Sequence, residues 1–322
     1  MADKLLEIKN LRTYFFTRAG VVKAIEDVSF YLEPGEKLAL VGESGSGKSV
    51  TSLSVMRLID NPGKIVSGEL LFKGHDLLTM DDDELLKVRG GKIAMIFQDP
   101  MTSLNPVLNI GHQLTETIKT HLKLDDRAAT NRAVEMLERV KIPEARRRLK
   151  SYPHEFSGGM RQRVMIAMAL SCNPELLMAD EPTTALDVTI QAQVLELIDA
   201  LSHEFNTATL LVTHDLGVVA GTCDRVHVMY AGRIVEATDT RTIFAKPAHP
   251  YTQALLKAVP RPDESRGQKL AAIGGRPPIL IDLPPGCPFA PRCPKVQPRC
   301  RVETPTLQEV GPGQLAACFY PY

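Results

Sequence analysis

The sequence predicts an α/β fold, and three observations support this prediction. Residues 42–49 read Gly-Glu-Ser-Gly-Ser-Gly-Lys-Ser, which fits the pattern G-x-x-x-x-G-K-S. They follow the apolar run Lys37–Val41, typical of a buried strand, and they precede residues 49–58, which can continue as a helix. Three later apolar runs also end in polar residues, and α/β folds place their ligands at the carboxyl ends of strands.

The glycine-rich segment is predicted to bind phosphate. Its glycines let the backbone turn tightly, so that successive N–H groups point inward at an anion. The N-terminus of the following helix adds its partial positive charge. Lys48 is then expected to reach the outer phosphates, and Ser49 to offer its hydroxyl to Mg²⁺. A plain glycine-rich turn is the alternative, and the flanking strand and helix argue against it.

The composition is that of an ordinary globular protein. The chain has 322 residues, of which 44% are hydrophobic and 24% charged, enough for one large domain with an appendage or for two domains. Thirty-eight basic residues balance thirty-eight acidic ones, which argues against a general nucleic-acid coat. Because neither a signal peptide nor a membrane-spanning apolar run is visible, we expect a soluble protein that stays where it is made.

The first forty residues are predicted to form strands that include one aromatic cluster. Turn signals occur at residues 18–20 and 33–35. Phe15 lies between Tyr14 and Phe16, about thirty residues before the glycine-rich segment. An aromatic ring at this place could stack on adenine, whereas neighbouring aromatics on a strand are more often core or edge residues. The sequence does not choose between the two interpretations.

A helical insertion is expected in the middle of the chain. The run Lys92–Phe97 reads as a buried strand that ends at Gln98. Residues 101–156 differ in character, and apolar residues at helical spacing predict a helix over Arg127–Val140. The basic run Arg146–Arg148 is interpreted as a solvated helix face.

A second helix start that could bind an anion follows this insertion. Ser157 is a good N-cap, and Gly158 and Gly159 expose the first backbone amides of an apolar helix. Next, the strand Leu176–Ala179 ends at a pair of carboxylates.

The polar residues at the strand ends are candidate catalytic groups. Asp180 and Glu181 suit one carboxylate for hydrated Mg²⁺ and one that polarises a water. The structural alternative is that both acids cap a helix. A further strand ends at His214, and a lone histidine is usually structural, but several polar groups now fall at strand ends.

The tail is rich in proline and cysteine. From Lys246 onward it holds fifteen of the twenty-three prolines, so long helices and sheets are not expected. Four of the six cysteines lie there, separated by five, six and seventeen residues: Cys287, Cys293, Cys300 and Cys318. This spacing lacks the short pairs of structural zinc sites, and four thiolates also suit a 4Fe–4S cluster. Zinc, free thiols and disulfides remain alternatives, while Cys172 and Cys223 read as small buried hydrophobes.

Taken in order, these motifs resemble those of ABC-type ATPases over roughly residues 5–245. Phe156 and Met160 depart from the commoner leucine and glutamine of the signature, but its Ser-Gly-Gly is intact. The set comprises the phosphate loop, Gln98, the signature from Ser157 to Gln162, Asp180–Glu181, Ala185–Asp187 and His214.

Longer segments resemble the ATPases of bacterial dipeptide and oligopeptide importers. These are Phe97–Pro106, Ala179–Gln193, His249–Leu256 and Gly286–Pro294, so the resemblance covers nearly the whole chain. It implies a P-loop NTPase core with a β-subdomain over residues 1–245, a helical subdomain inserted at about 101–156, and an irregular extension over 246–322.

The same resemblance implies the roles of individual residues. Glu181 would polarise the attacking water, His214 would hold the γ-phosphate, and Gln98 would join Ser49 and Asp180 on Mg²⁺. The four tail cysteines would hold a structural 4Fe–4S cluster. The residues implied in binding ATP on this chain are Phe15, Gly42, Ser44, Gly45, Ser46, Gly47, Lys48, Ser49 and Val50. Those implied at the nucleotide of a second subunit are Ser157, Gly158, Gly159 and Met160, with Asp187 also at the nucleotide site.

The implied function is the ATP-hydrolysing motor of an importer at the cytoplasmic face of the cell membrane. Its partners would be a second, related but non-identical ATPase, two permease subunits and, indirectly, a substrate-binding protein, with no nucleic acid. Relatives carry dipeptides, longer peptides, glutathione, nickel complexes and some sugars. The alternatives are a motor for another of these solutes, an exporter motor, a stand-alone nucleotide enzyme and a DNA-repair or translation ATPase.

Overall fold

A computed structural model of the chain describes residues 4–184, 186–259, 273–281, 283 and 285–322. Ala185 of the quoted motif lies outside the described residues, as do residues 1–3 of the predicted core domain and 260–272 of the predicted extension. The described chain forms two compact units. The helix-rich unit comprises residues 33–36 and 79–210, and the loop unit comprises residues 4–32, 37–78 and the described part of 211–322.

The described residues contain strands throughout both units. In chain order the strands are β1 (Leu6–Thr17), β2 (Gly20–Leu32), β3 (Lys37–Val41), β4 (Gly63–Phe72), β5 (His75–Asp76), β6 (Ile93–Ile96), β7 (Leu176–Asp180), β8 (Ala208–Thr213), β9 (Arg225–Tyr230), β10 (Arg233–Asp239), β11 (Gln308–Gly311) and β12 (Gln314–Ala316).

Helices alternate with these strands, so the α/β prediction is confirmed. They are α1 (Lys48–Val55), α2 (Asp82–Val88), α3 (Pro100–Ser103), α4 (Ile110–Leu122), α5 (Asp126–Arg139), α6 (Ala145–Arg148), α7 (Gly158–Leu170), α8 (Val188–Glu204), α9 (Leu216–Val219), α10 (Thr240–Ala245) and α11 (Pro250–Ala258). Short 3₁₀ helices span Pro153–Glu155, Ala290–Arg292 and Pro298–Arg301. Among the described residues, no helix is both long and apolar enough to cross a membrane.

Two sheets organise the loop unit. One has the order β2-β1-β4-β5 and is antiparallel. In the other, β3 pairs in parallel with β9, and β9 continues through antiparallel pairs to β10, β12 and β11. The four residues of β3 after Lys37 are fully buried, which explains its uninterrupted apolar run.

The helix-rich unit combines one parallel strand pair with packed helices. β6 pairs in parallel with β7, whose five residues are all buried. The predicted helix Arg127–Val140 corresponds to α5, and α5 packs against α4 and α7. Asn109 and Asp125 cap α4 and α5 with their side chains, which accept the N–H groups of the third residue beyond each cap.

The tail is less irregular than its proline content predicts. Its strand β12 pairs with β10, in the register Glu236 to Ala316, and β11 pairs with β12. An edge strand leaves a row of unpaired backbone groups, and β12 provides partners for the edge of β10. The tail therefore completes a sheet of the loop unit.

Glu236 of β10 anchors the tail through a buried carboxylate. The residue is fully buried, and its oxygens accept the N–H groups of Ala248 (2.7 Å) and His249 (2.8 Å). They also accept the side-chain amide of Gln314 on β12 (2.9 Å). Three donors from the tail thus converge on one side chain of the sheet.

We expect Glu236→Ala to lower the free energy of unfolding by about 3 kcal/mol, because it leaves three buried donors without an acceptor. Urea unfolding followed by circular dichroism measures this loss. Glu309→Ala on β11 is the matched control, since Glu309 is exposed and its removal should change stability by less than about 0.5 kcal/mol. Equal stability of the two variants would contradict the anchoring role.

Candidate nucleotide site

The phosphate loop, residues 42–49, leads from β3 into α1 in the loop unit. Two of its positions require glycine, because other parts of the backbone lie close to them. A Cβ atom at Gly42 would lie 2.2 Å from the carbonyl oxygen of Met229. Gly47 has a φ of 108°, and a Cβ there would lie 2.5 Å from the carbonyl oxygen of Ala24. Side chains at either position would displace the backbone of β9 or β2, so the loop keeps its shape only with glycine.

Lys48 folds back over the loop that precedes it. Its side chain is buried, and Nζ donates to the carbonyl oxygens of Gly42 (2.8 Å) and Glu43 (3.0 Å). A buried ammonium group needs such compensation, and phosphate oxygens would supply it more strongly than neutral carbonyls. The remaining predicted loop residues are placed as follows: Ser44 and Gly45 are exposed, Ser46 is buried, and Ser49 and Val50 are half-buried in the first turn of α1.

His214 lies in the same unit as the phosphate loop. It follows the last residue of β8, Thr213, and its side chain is exposed. The next residue, Asp215, donates its backbone N–H to the Thr213 hydroxyl (3.0 Å) and accepts the N–H of Gly217 through its carboxylate (2.7 Å). These contacts fix the turn that presents His214.

Gln98 and Glu181 come together at the ends of neighbouring strands in the helix-rich unit. β6 ends just before Gln98, and β7 ends at Asp180. Gln98 donates its amide to the Glu181 carboxylate (3.1 Å), which also accepts the Thr184 hydroxyl (2.9 Å). Glu181 has a φ of 43°, in the left-handed region that non-glycine residues seldom adopt, whereas Asp180 is almost fully buried in β7.

The signature forms the exposed start of α7. The Ser157 hydroxyl accepts the N–H of Met160 (3.3 Å), as its predicted N-cap role requires. Ser157 and Gly158 are exposed, and Gly159 and Met160 are half-buried. A Cβ at Gly159 would lie 3.0 Å from Cγ2 of Ile190, so this glycine lets α8 approach α7 closely.

Two further predicted nucleotide residues have contacts within the protein. Asp187 caps α8, where its carboxylate accepts the N–H of Ile190 (3.0 Å), and its side chain is exposed. Phe15 is half-buried on β1. Its neighbour Tyr14 donates its hydroxyl to Glu26 (2.8 Å), and Phe16 is the most exposed of the three aromatic residues, at 51%.

The four tail cysteines line one cavity in the loop unit. Burial raises the pKa of the Cys287 thiol to about 11 and also raises the pKa values of Cys293 and Cys318. All six cysteines lie in the described part of the chain, and none forms a disulfide. Within that part, no three His, Cys, Asp or Glu side chains converge closely enough to hold a single metal ion.

Two residues without a predicted role contact the phosphate loop. The backbone N–H of Glu43 donates to the Tyr251 hydroxyl (2.8 Å), and the Glu43 carboxylate accepts two hydrogen bonds from Arg292. Both residues lie in tail segments that resemble importer ATPases, which is the one signal that could have drawn attention to them.

Comparison with protein families identifies two regions of the chain. The ABC transporter family matches residues 25–184, which include the phosphate loop and the signature. The oligopeptide/dipeptide transporter C-terminal region matches residues 235–300, which include Arg292 and three of the four tail cysteines.

Individual relatives match along almost the full length. The chain is 54% identical to the oligopeptide transport ATP-binding protein OppD of Escherichia coli, over 99% of this chain and 94% of the relative. It is 52% identical to the oligopeptide transport ATP-binding protein AppD of Bacillus subtilis, over 98% and 96% of the two chains.

A solved structure of an ATP-binding cassette shares the fold. Its dimeric post-hydrolysis state, bound to ADP and Pi, superimposes with a TM-score of 0.66 at 28% identity, over 73% of this chain and 99% of that one. This match confirms the predicted P-loop NTPase core. With relatives above 50% identity over nearly its whole length, the chain belongs to the family of oligopeptide ABC transporter ATP-binding proteins.

Proposed function

We propose that the chain is the ATP-hydrolysing motor subunit of an importer that carries oligopeptides. The observation on which this proposal rests is the exposed Ser-Gly-Gly start of α7, a helix start suited to bind an anion. The names of the relatives support peptides as cargo, since both are oligopeptide transport proteins.

Within one chain, the phosphate loop and Lys48 would bind the phosphates of ATP. The ammonium group of Lys48 would give up its hydrogen bonds to the two loop carbonyls and donate to oxygens of the outer phosphates instead. His214, presented by the turn after β8, would hold the γ-phosphate. Phosphoryl transfer requires positioning and charge neutralisation more than covalent chemistry, and these residues provide both.

Glu181 would orient and polarise the attacking water. Its carboxylate is already held by Gln98 and Thr184, which limits the positions it can adopt. Ser49, Gln98 and Asp180 offer oxygen atoms, the ligands that Mg²⁺ prefers, and would hold that ion. Bound Mg²⁺ would neutralise part of the phosphate charge.

The exposed ring of Phe16 is better placed than that of Phe15 to stack on adenine, since only an accessible face can receive a base. The adenine-stacking role predicted for Phe15 would then belong to Phe16. Both residues lie on β1, before the phosphate loop in sequence.

A second ATPase chain would complete the site. The signature, Ser157 to Met160, would contact the nucleotide held by the partner chain, with Asp187 nearby, so that ATP joins two chains and hydrolysis releases them. We infer that the partner is a related, non-identical chain and that two permease subunits receive the movement at the cytoplasmic face of the membrane. A substrate-binding protein would deliver the peptide.

We expect Glu181→Gln to keep ATP binding but to lower turnover by ~10²-fold or more, because it removes the group that polarises water and spares ground-state binding. Lys48→Ala should instead weaken nucleotide binding itself. Steady-state hydrolysis and nucleotide titration of the assembled transporter separate the two effects. Glu196→Gln, at an exposed position of α8, is the matched control. Near-normal turnover of Glu181→Gln would exclude the assigned role.

We infer further that the four tail cysteines hold a structural 4Fe–4S cluster. They fit the donor set, since four thiols line one cavity and form no disulfide. The described thiols do not converge on one ion, whereas a cluster distributes its ligands over several metal ions. Burial raises the pKa values of Cys293 and Cys318, and the charge of Lys295, which lines the same cavity, offsets this effect only in part.

Protein purified without oxygen should be brown, absorb broadly near ~400 nm and contain about four irons per chain. Cys293→Ser should remove the colour and destabilise the tail. Cys172→Ser should leave the colour unchanged, because Cys172 lies in the helix-rich unit and does not line the cysteine cavity. Stoichiometric zinc without iron would rule out the cluster while retaining the ligands.

A further inference from the structure

Glu43, the second residue of the phosphate loop, is bound through three of its groups. Its carbonyl oxygen accepts Lys48, and its backbone N–H donates to the hydroxyl of Tyr251 on α11. Its carboxylate accepts two parallel hydrogen bonds from Arg292, Nη1 to Oε2 at 2.6 Å and Nη2 to Oε1 at 2.9 Å. Two of these three partners come from the tail, more than 200 residues further along the chain.

Arg292 is itself held in place. Its side chain is only 3% exposed, and Nε donates to the carbonyl oxygen of Gly274 (2.9 Å). Its guanidinium lies 5.8 Å and 6.0 Å from the ring centres of Tyr230 and Phe289. Two hydrogen bonds to the Glu43 carboxylate hold the guanidinium on its remaining side. A buried, forked donor of fixed orientation imposes a definite position on the carboxylate it binds.

We propose that Arg292 is a positioning residue for the phosphate loop, through which the C-terminal extension sets the affinity of the chain for nucleotide. The loop binds phosphate with backbone groups, whose directions depend on the path of the chain through Glu43. Arg292 fixes that path through the Glu43 carboxylate, and Tyr251 fixes it through the backbone N–H of Glu43. The inference rests on the proposed ATPase function, and neither residue touches the nucleotide in this account.

The same residue joins the phosphate loop to the cysteine cavity. Arg292 is adjacent to Cys293 and ends the 3₁₀ helix that begins at Ala290. Ala290 donates its N–H to the carbonyl oxygen of Cys287 (2.9 Å), and Cys293 donates to that of Ala290 (3.4 Å). Residues 287–293 therefore form one hydrogen-bonded turn. A change in the cysteine cavity that shifts this turn also shifts Arg292 and, with it, Glu43.

The first test compares Arg292→Met, Arg292→Lys and the control Arg276→Met in the full chain. Arg276 lies in the same extension and is exposed, so its loss should have little effect. Titration with a fluorescent ATP analogue and Mg²⁺ should show a Kd raised about tenfold by Arg292→Met and about threefold by Arg292→Lys, which keeps the charge but loses the fork.

In the assembled transporter, the KM for ATP should rise by a similar factor while kcat changes less than about twofold, because the loop binds ground state and transition state alike. A fall in kcat at unchanged KM would overturn the proposal, as would a lowered Tm with unchanged Kd. A wild-type chain that binds no nucleotide would instead contradict the proposed ATPase function, so the two failures are distinguishable.

A double variant tests the pair itself. Arg292→Met leaves the Glu43 carboxylate unpaired beside the phosphate site, and Glu43→Gln removes that charge. The double variant should therefore bind nucleotide more tightly than Arg292→Met alone. Additive losses would show that Arg292 acts by stabilising the fold and not by holding Glu43, which would overturn the proposal.

A second cycle tests the connection to the cysteine cavity. Cys293→Ser should raise the Kd in the wild-type background and have little further effect in Arg292→Met, because the path through Arg292 is then already lost. Equal effects of Cys293→Ser in both backgrounds would show that the cysteine cavity does not act through Arg292.

Discussion

The shape of the phosphate loop is the constraint on which the rest of the structure depends. Gly42 and Gly47 leave no space for a side chain, because backbone carbonyls of β9 and β2 lie against them. β3 precedes the loop and α1 follows it, and Lys48 donates hydrogen bonds to two carbonyl oxygens of the loop. The loop can therefore follow this path beside β9 and β2 only with glycine at both positions.

Much of this arrangement could be predicted from the sequence, because it depends on local patterns. Uninterrupted apolar runs predicted β3 and β7, and the residues that follow them predicted the polar groups at the strand ends. Ser157 was predicted as an N-cap from the two glycines and the apolar run after it, and its hydroxyl accepts the expected N–H. The roles of Glu181, His214 and the four cysteines remain predictions.

The missed features depend on contacts between distant parts of the chain. Arg292 and Glu43 are 249 residues apart, and no local pattern relates them. The prolines of the tail gave no indication that β12 pairs with β10. Nothing in the sequence around Glu236 indicates the three distant donors that its carboxylate accepts. Likewise, the exposure of three adjacent aromatics depends on how β1 packs in the folded unit, so the sequence could not select Phe16.

The C-terminal extension compensates for its lack of long elements with a few strong contacts. Tyr230, Tyr251 and Phe289 form an aromatic cluster with ring centres 4.6–5.4 Å apart. Tyr251 of this cluster contacts Glu43, and Arg292 lies against the rings of Tyr230 and Phe289. Glu236 fixes the start of α11 and β12 together. The extension is therefore attached by buried polar contacts as well as by packing.

The central claim is that two chains share each nucleotide. It is tested most directly by the structure of the assembled transporter with Glu181→Gln in this chain and with ATP and Mg²⁺ bound. The account predicts that the Ser157 hydroxyl of this chain lies about 3 Å from an oxygen of the γ-phosphate held by the second ATPase subunit. A γ-phosphate contacted only by the chain whose phosphate loop holds it, with Ser157 exposed to solvent, would contradict the account.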